Sequence, residues 1–203
     1  MTRVVYLRSG TETKPTQDML QAMVSAPLGD VCLGDDPTVA RLEAMAAERL
    51  GKEAAIFVPT GTLSNQIGVA LHTKPGQAIV VDARCHILNW EGGGAAANSG
   101  VQLRTFNSEA GLPTQDALDA TAWPDHPKAP RRSLLCLENT HNSAGGVPHG
   151  AAALSTCADW AKALGWGVHL DGARLFNAVI ATGDSAAAIG AACDTVNICL
   201  SKG

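Results

Sequence analysis

Aromatic side chains are scarce in this sequence, at 4% of 203 residues. A core of stacked rings is thereby disfavoured, and the abundant Ala and Gly suit helices packed closely on a sheet. Positive charge is not in excess either: 15 Lys and Arg stand against 19 Asp and Glu, for a net charge of −4. Without a basic stripe, nucleic acid is not an expected partner. No apolar run approaches the ~18 residues of a membrane span. The first twenty residues also lack the basic stretch and apolar run of a signal peptide. The expectation is a soluble cytoplasmic protein with no membrane partner. Cysteine is present at positions 32, 85, 136, 157, 193 and 199, but with no Cys-x-x-Cys and no closely spaced Cys/His quartet. No metal site is therefore expected. Cysteines in apolar runs, such as Cys136 in Leu134-Leu135-Cys136-Leu137, read as small buried hydrophobes.

What is present is a sequence with 46% hydrophobic and 17% charged residues, enough to bury one large core. Short runs rich in Val, Ile and Leu at 54–58, 78–82, 101–106, 133–138, 167–170 and 195–200 predict strands. They alternate with helical patterns, which predicts a three-layer α/β fold, a mostly parallel sheet flanked by helices. One helix is marked by Asp36 as cap, Pro37 in the first turn and Gly51 as the stop. Others are expected from Pro15 through Met23, over 61–72 and over 150–164. The polar, Pro-rich stretch 121–132 reads as a surface connection.

Three segments carry chemistry. Pro59-Thr60-Gly61-Thr62-Leu63-Ser64-Asn65 follows a predicted strand and opens a helix, where amides and hydroxyls can hold a phosphate. Taken alone it is also an ordinary capped turn. Val168-His169-Leu170-Asp171-Gly172-Ala173-Arg174 places an acid and a base at a strand's carboxyl end, where open α/β sheets bind ligands. An Asp there can pair with a protonated pyridine nitrogen. The strand at 195–200 runs into Ser201-Lys202-Gly203, and a lysine so placed can attack an aldehyde. Each residue alone is more often a surface charge.

Taken in order, Arg8-Ser9-Gly10-Thr11, Gly34-Asp35-Asp36-Pro37-Thr38, Gly51-Lys52-Glu53-Ala54-Ala55, Thr60-Gly61-Thr62-Leu63-Ser64-Asn65-Gln66, Glu138-Asn139-Thr140-His141-Asn142, His169-Leu170-Asp171-Gly172-Ala173-Arg174 and Ser201-Lys202-Gly203 span the whole chain. The series resembles the low-specificity L-threonine aldolases, fold type I enzymes dependent on pyridoxal 5′-phosphate. The resemblance implies that residues 1–203 are the cofactor-binding large domain with an N-terminal arm, lacking the last sheet strand and a C-terminal small domain. It implies retro-aldol cleavage of L-threonine, L-allo-threonine or other β-hydroxy-α-amino acids to glycine and an aldehyde. Lys202 would carry the cofactor, Asp171 would face its pyridine nitrogen and His86 would lie over the ring. Gly61 and Thr62 would hold the phosphate, Arg174 would sit near the phenolic oxygen and the substrate carboxylate, and Ser9 would face that carboxylate. His86 and His141 are the candidates for taking the hydroxyl proton. A homodimer or homotetramer is implied as well.

The sequence departs from the family pattern in two places. Gly10 stands where the family has Asp, and Leu33 stands where a Tyr is expected; the second change favours a larger, phenylserine-like substituent. Two other readings remain open on the same residues: a different lyase reaction on this scaffold, such as β-elimination, and a non-catalytic, truncated chain.

Overall fold

The computed structural model describes residues 8–124 and 126–202. Helices α1 (Gln17–Ser25), α2 (Pro37–Leu50) and α3 (Gly61–His72) precede the first strand, β1 (Ala78–Asp82). Two short helices, α4 (His86–Asn89) and α5 (Gly94–Ser99), lead to β2 (Gln102–Phe106), and α6 (Gln115–Asp119) leads to β3 (Arg132–Glu138). The chain continues through α7 (Ala151–Ala163), β4 (Gly167–Gly172), α8 (Leu175–Thr182), α9 (Ala186–Ala191) and β5 (Thr195–Ile198). The strands form one sheet in the order β2-β1-β3-β4-β5, parallel throughout.

Alternation along each strand splits the core in two. Val80, Leu135, Leu137, Val168 and Leu170 face one side, with Leu154 and Ala158 of α7, Leu175 of α8 and Ile189 of α9. Ile79, Val81, Leu134 and Cys136 face the other, against Val69 of α3, Ile87 of α4 and Ala95 of α5. Both faces are covered, so β1 is buried at all five positions, and its first four, Ala78-Ile79-Val80-Val81, read as a continuous apolar run. Burial of each such Leu or Ile stabilises the fold by about 1.5–3 kcal/mol. Cys85, Cys136, Cys157 and Cys193 are buried free thiols within this core. Burial pushes the Cys85 and Cys193 thiols up to about 12.

Helix boundaries follow local chemistry. The Asp36 carboxylate accepts from the amides of Thr38 and Val39, Pro37 occupies the first turn, and Gly51 closes α2 at φ +62°. Thr60 caps α3 by accepting from the Leu63 amide at 3.1 Å. Helix α1 buries no residue, leaving Met23 and Val24 exposed.

Residues 54–58, expected as a strand, pair with no strand of the sheet. Their apolar composition meets the requirement for a strand, but a strand also needs a neighbour, and no described strand lies alongside them. The Phe57 amide donates instead to the Glu43 carboxylate at 2.7 Å, and Ile56 and Phe57 are exposed. A cleft of about 1590 Å³ is lined by this segment, by α3 and by β5 through Ser201. No described helix is long and apolar enough to cross a membrane.

Candidate active site

Parallel register pairs Glu138 with Asp171 and Asp171 with Asn197, so the ends of β3, β4 and β5 set three polar side chains in a row. This is the carboxyl edge of the sheet, beside the point where strand order reverses between β1 and β3, and ligands collect there in open α/β sheets. Helix α3 crosses the same face and lowers Asn65 onto the row.

Asp171 is buried. It accepts from the Asn65 side-chain amide at 2.8 Å, the Asn197 amide at 3.2 Å and the Ala173 N–H at 3.1 Å. All three partners donate, which suits an ionised carboxylate, since it accepts and never donates. Asn65 also donates to Glu91 at 2.7 Å, and Gln66 donates to the same carboxylate at 2.6 Å. His86, Glu91 and Asp171 thus place ligand-type atoms within 4.8 Å of one another. The Asn65 amide nitrogen sits between the two carboxylates and bonds to both, so the group is knit by protein donors.

His86 lies at the start of α4, its backbone N–H donating to Glu138 at 2.8 Å and its Nδ1 at 2.9 Å from Glu91. The Glu91 hydrogen bond raises the imidazole above its ordinary value, against an opposing effect of burial. With Nδ1 engaged, Nε2 is the nitrogen open to a ligand. Burial pushes the Glu138 carboxyl up, and the nearby Asp171 charge adds to this.

At the start of α3 a Cβ on Gly61 would come within 2.6 Å of the Cys199 sulfur, so only glycine fits there without a shift. Cys199 in turn lies 3.6 Å from the Lys202 Nζ. The glycine that opens a helix and the lysine that follows β5 are therefore gathered around one sulfur. Arg174 caps α8, and among the described residues its guanidinium makes no hydrogen bond or salt bridge.

A family model described as beta-eliminating lyase matches residues 6–203. The chain belongs to the beta-eliminating lyase family. It is 41% identical over 98% of its length to the low specificity L-threonine aldolase of Escherichia coli strain K12, covering 60% of that protein. It is 42% identical over 99% of its length to low-specificity L-threonine aldolase 1 of Arabidopsis thaliana, covering 57% of it. The chain thus spans under two thirds of the length of these relatives. In fold it is similar to a Leishmania major threonine aldolase, with a TM-score of 0.81 at 21% identity, over 94% of this chain and 56% of that one.

Of the residues singled out in the sequence, Asp171 and His86 meet through Asn65 and Glu91, and Gly61 meets Lys202 through Cys199. Thr62 is exposed at the start of α3. Ser9 is exposed too, and caps the turn Gly10–Glu12 by accepting from the Thr11 N–H. His141 is not in the open site. It is fully buried, its Nδ1 accepting from the Ala144 N–H at 3.2 Å and its Nε2 3.3 Å from Asp82. Trp90, at the end of α4, is 69% exposed. Asn65, Glu91 and Asn197 were not found from the sequence. Asn65 falls one helical turn after Gly61 and Glu91 five residues after His86, a spacing legible only once those anchors are trusted.

The buried histidines predict a response to acid. His169 is held down to about 4, by burial first, and His72 and His149 are also lowered by burial. Unfolded imidazoles take up protons near pH 6.5, so between about 6.5 and 4 the unfolded chain binds more protons. Stability is then lost as pH falls through that window, at about 1.4 kcal/mol per pH unit for one fully buried histidine. His86, raised by Glu91, acts in the opposite sense, its contribution being lost as pH rises. Urea denaturation at pH 7.0, 6.0 and 5.0 is expected to show a falling midpoint, with a shallower fall in His169→Gln. A flat profile in the parent chain contradicts the buried, neutral histidines.

Proposed function

We propose that this chain holds the cofactor side of a lyase that uses pyridoxal 5′-phosphate to split β-hydroxy-α-amino acids into glycine and an aldehyde. The observation that carries the reading is Asp171, buried at the sheet edge and met only by donors, with a lysine at the end of the next strand. Pyridoxal phosphate supplies an aldehyde carbon for an amine and a ring that accepts an electron pair when its nitrogen is protonated. Asp171 is the group that holds a proton on that ring nitrogen. Lys202 offers the amine. The amides of Gly61 and Thr62, at the positive end of a twelve-residue helix, and the Thr62 hydroxyl suit the phosphate.

In this reading His86 would lie over the ring, and its Nε2 would be the nitrogen that takes the β-hydroxyl proton. Its Nδ1–H is bound to Glu91, and the raised affinity for a proton suits a base. His141 is a less suitable acceptor, because its ring is fully buried, with Nδ1 accepting from the Ala144 N–H and Nε2 facing Asp82 rather than the open site. Arg174 is the cation for the substrate carboxylate. Ser9 is kept as a second contact to that carboxylate. The residues 1–203 form the large cofactor domain with an N-terminal arm, and the exposed apolar side chains of α1 and of residues 54–58 suit a homodimer or homotetramer.

The test is a titration of the purified chain with pyridoxal phosphate, followed by borohydride reduction and peptide mass mapping. A reduced adduct on Lys202 is expected. An adduct spread over other lysines, or none in a folded chain, overturns the reading. Assay of aldehyde release from threonine and from phenylserine in the same preparation is expected to favour phenylserine, as the apolar Leu33 suggests, and a preference for threonine removes that refinement.

A further inference from the structure

His169 lies on β4 two residues before Asp171, on the same face of the strand, and its ring is buried beneath α3. Its Nε2 is 3.1 Å from Asn65 Oδ1 and its Nδ1 is 2.9 Å from Thr195 Oγ1. Thr195 Oγ1 is also 3.0 Å from His72 Nε2.

The direction of every hydrogen along this path is set from one end. Glu91 and Asp171 accept, so the two hydrogens of Asn65 Nδ2 must point at them. Asn65 Oδ1 therefore faces the other way, where it accepts from Asn197 and from His169. His169 must then carry its hydrogen on Nε2 and accept at Nδ1 from the Thr195 hydroxyl. With its one hydrogen spent on His169, that hydroxyl accepts from His72 Nε2–H. Burial that keeps the His169 ring neutral is consistent with one hydrogen and one lone pair in fixed places.

We infer that His169 is a positioning residue of the cofactor site: a neutral ring, protonated at Nε2, that locks the Asn65 amide so both its hydrogens serve Asp171 and Glu91. The inference rests on the proposed role of Asp171 toward pyridoxal phosphate. Without the Nε2–H donor, Asn65 Oδ1 keeps only the Asn197 donor at 3.1 Å, and the amide is held less firmly toward Asp171 and Glu91. The donor that Asn65 presents to Asp171 is then less well fixed, and with it the carboxylate that would face the ring nitrogen. A histidine that served packing alone would tolerate an apolar ring of similar size.

Two measurements test this. In the cofactor-free chain labelled with 15N-histidine, long-range proton–nitrogen correlation at pH 7 is expected to show His169 as the Nε2–H tautomer. Titration with pyridoxal phosphate is expected to show affinity reduced roughly ten-fold in His169→Phe, the loss of one hydrogen bond serving a charged group. In His169→Gln, whose amide can donate from the Nε2 position, affinity should return to within about two-fold of the parent. Should His169→Phe not fold, Thr195→Val replaces it; the ring then loses its partner at Nδ1, and mixed tautomers with an intermediate loss of affinity are expected. An Nδ1–H or doubly protonated ring in the parent chain, or parent-like affinity in His169→Phe, overturns the inference. Failure of the parent chain itself to bind pyridoxal phosphate overturns the functional reading and this role with it, while the tautomer still reports whether the relay exists.

Discussion

Replacing Asp171 with alanine is expected to weaken pyridoxal phosphate binding by about 100-fold or more, since removing one partner of a buried charge pair costs roughly 3–5 kcal/mol. The loss has two parts. The ring nitrogen would no longer face an anion, and the Asn65 amide, the Asn197 amide and the Ala173 N–H would be left without their acceptor. Asp171→Asn separates them, because it keeps the shape and one acceptor oxygen but removes the charge. Both variants should lose the cofactor, with the asparagine variant closer to the parent in thermal stability. Fluorescence titration with pyridoxal phosphate, alongside a melting curve for each protein, is the measurement. Parent-like affinity in a folded Asp171→Ala would remove Asp171 from the site.

The second large effect is expected at Gly68, in the middle of α3. A Cβ there would lie 2.4 Å from the His169 ring, far inside ordinary contact. Alanine in place of a mid-helix glycine would by itself stabilise the helix by about 1 kcal/mol. Overpacking a closed core costs roughly 1–3 kcal/mol, and this ring is pinned at both nitrogens, so the upper end applies and steric cost wins. Gly68→Ala should therefore lower stability by about 2 kcal/mol net and weaken pyridoxal phosphate binding through the displaced ring and Asn65. A variant as stable as the parent, measured by urea denaturation at pH 7.5, would show that α3 can lift away without cost.

These two positions show what a linear reading of the chain reaches. Asp171 was legible because a strand-end acid followed by Gly-Ala-Arg is a local pattern, and Gly61 and Lys202 were legible for the same reason. The helix from Pro37 to Leu50 was legible from its cap, its proline and its terminal glycine. Gly68 was not, because its purpose is to make room for a ring 101 positions away by number. Glu91 and Asn65 were silent for a related reason: a lone amide or carboxylate says nothing of its partner until register and helix crossing are known. The strand expected at 54–58 failed in the opposite way, since apolar periodicity reports a tendency to extend and pairing depends on what lies alongside. His141 was read from its place in the Asn139-Thr140-His141 segment of the family resemblance, whereas the fold buries it against the Gly111 backbone, where a Cβ would meet the ring at 2.3 Å.

The parallel sheet has one more consequence, for the order in which the molecule assembles. Each parallel pairing closes a long loop, and such closures are slow. The bond from Asn197 to Asn65 joins residues 132 positions apart, and that from Asn65 to Asp171 joins residues 106 apart. During synthesis β1 and β3 can pair long before residue 197 leaves the ribosome, but the carboxylates and amides of the site cannot close on one another until it does. Slowed hydrogen exchange at the Asn65 and Asn197 side-chain amides would therefore mark the last stage of maturation.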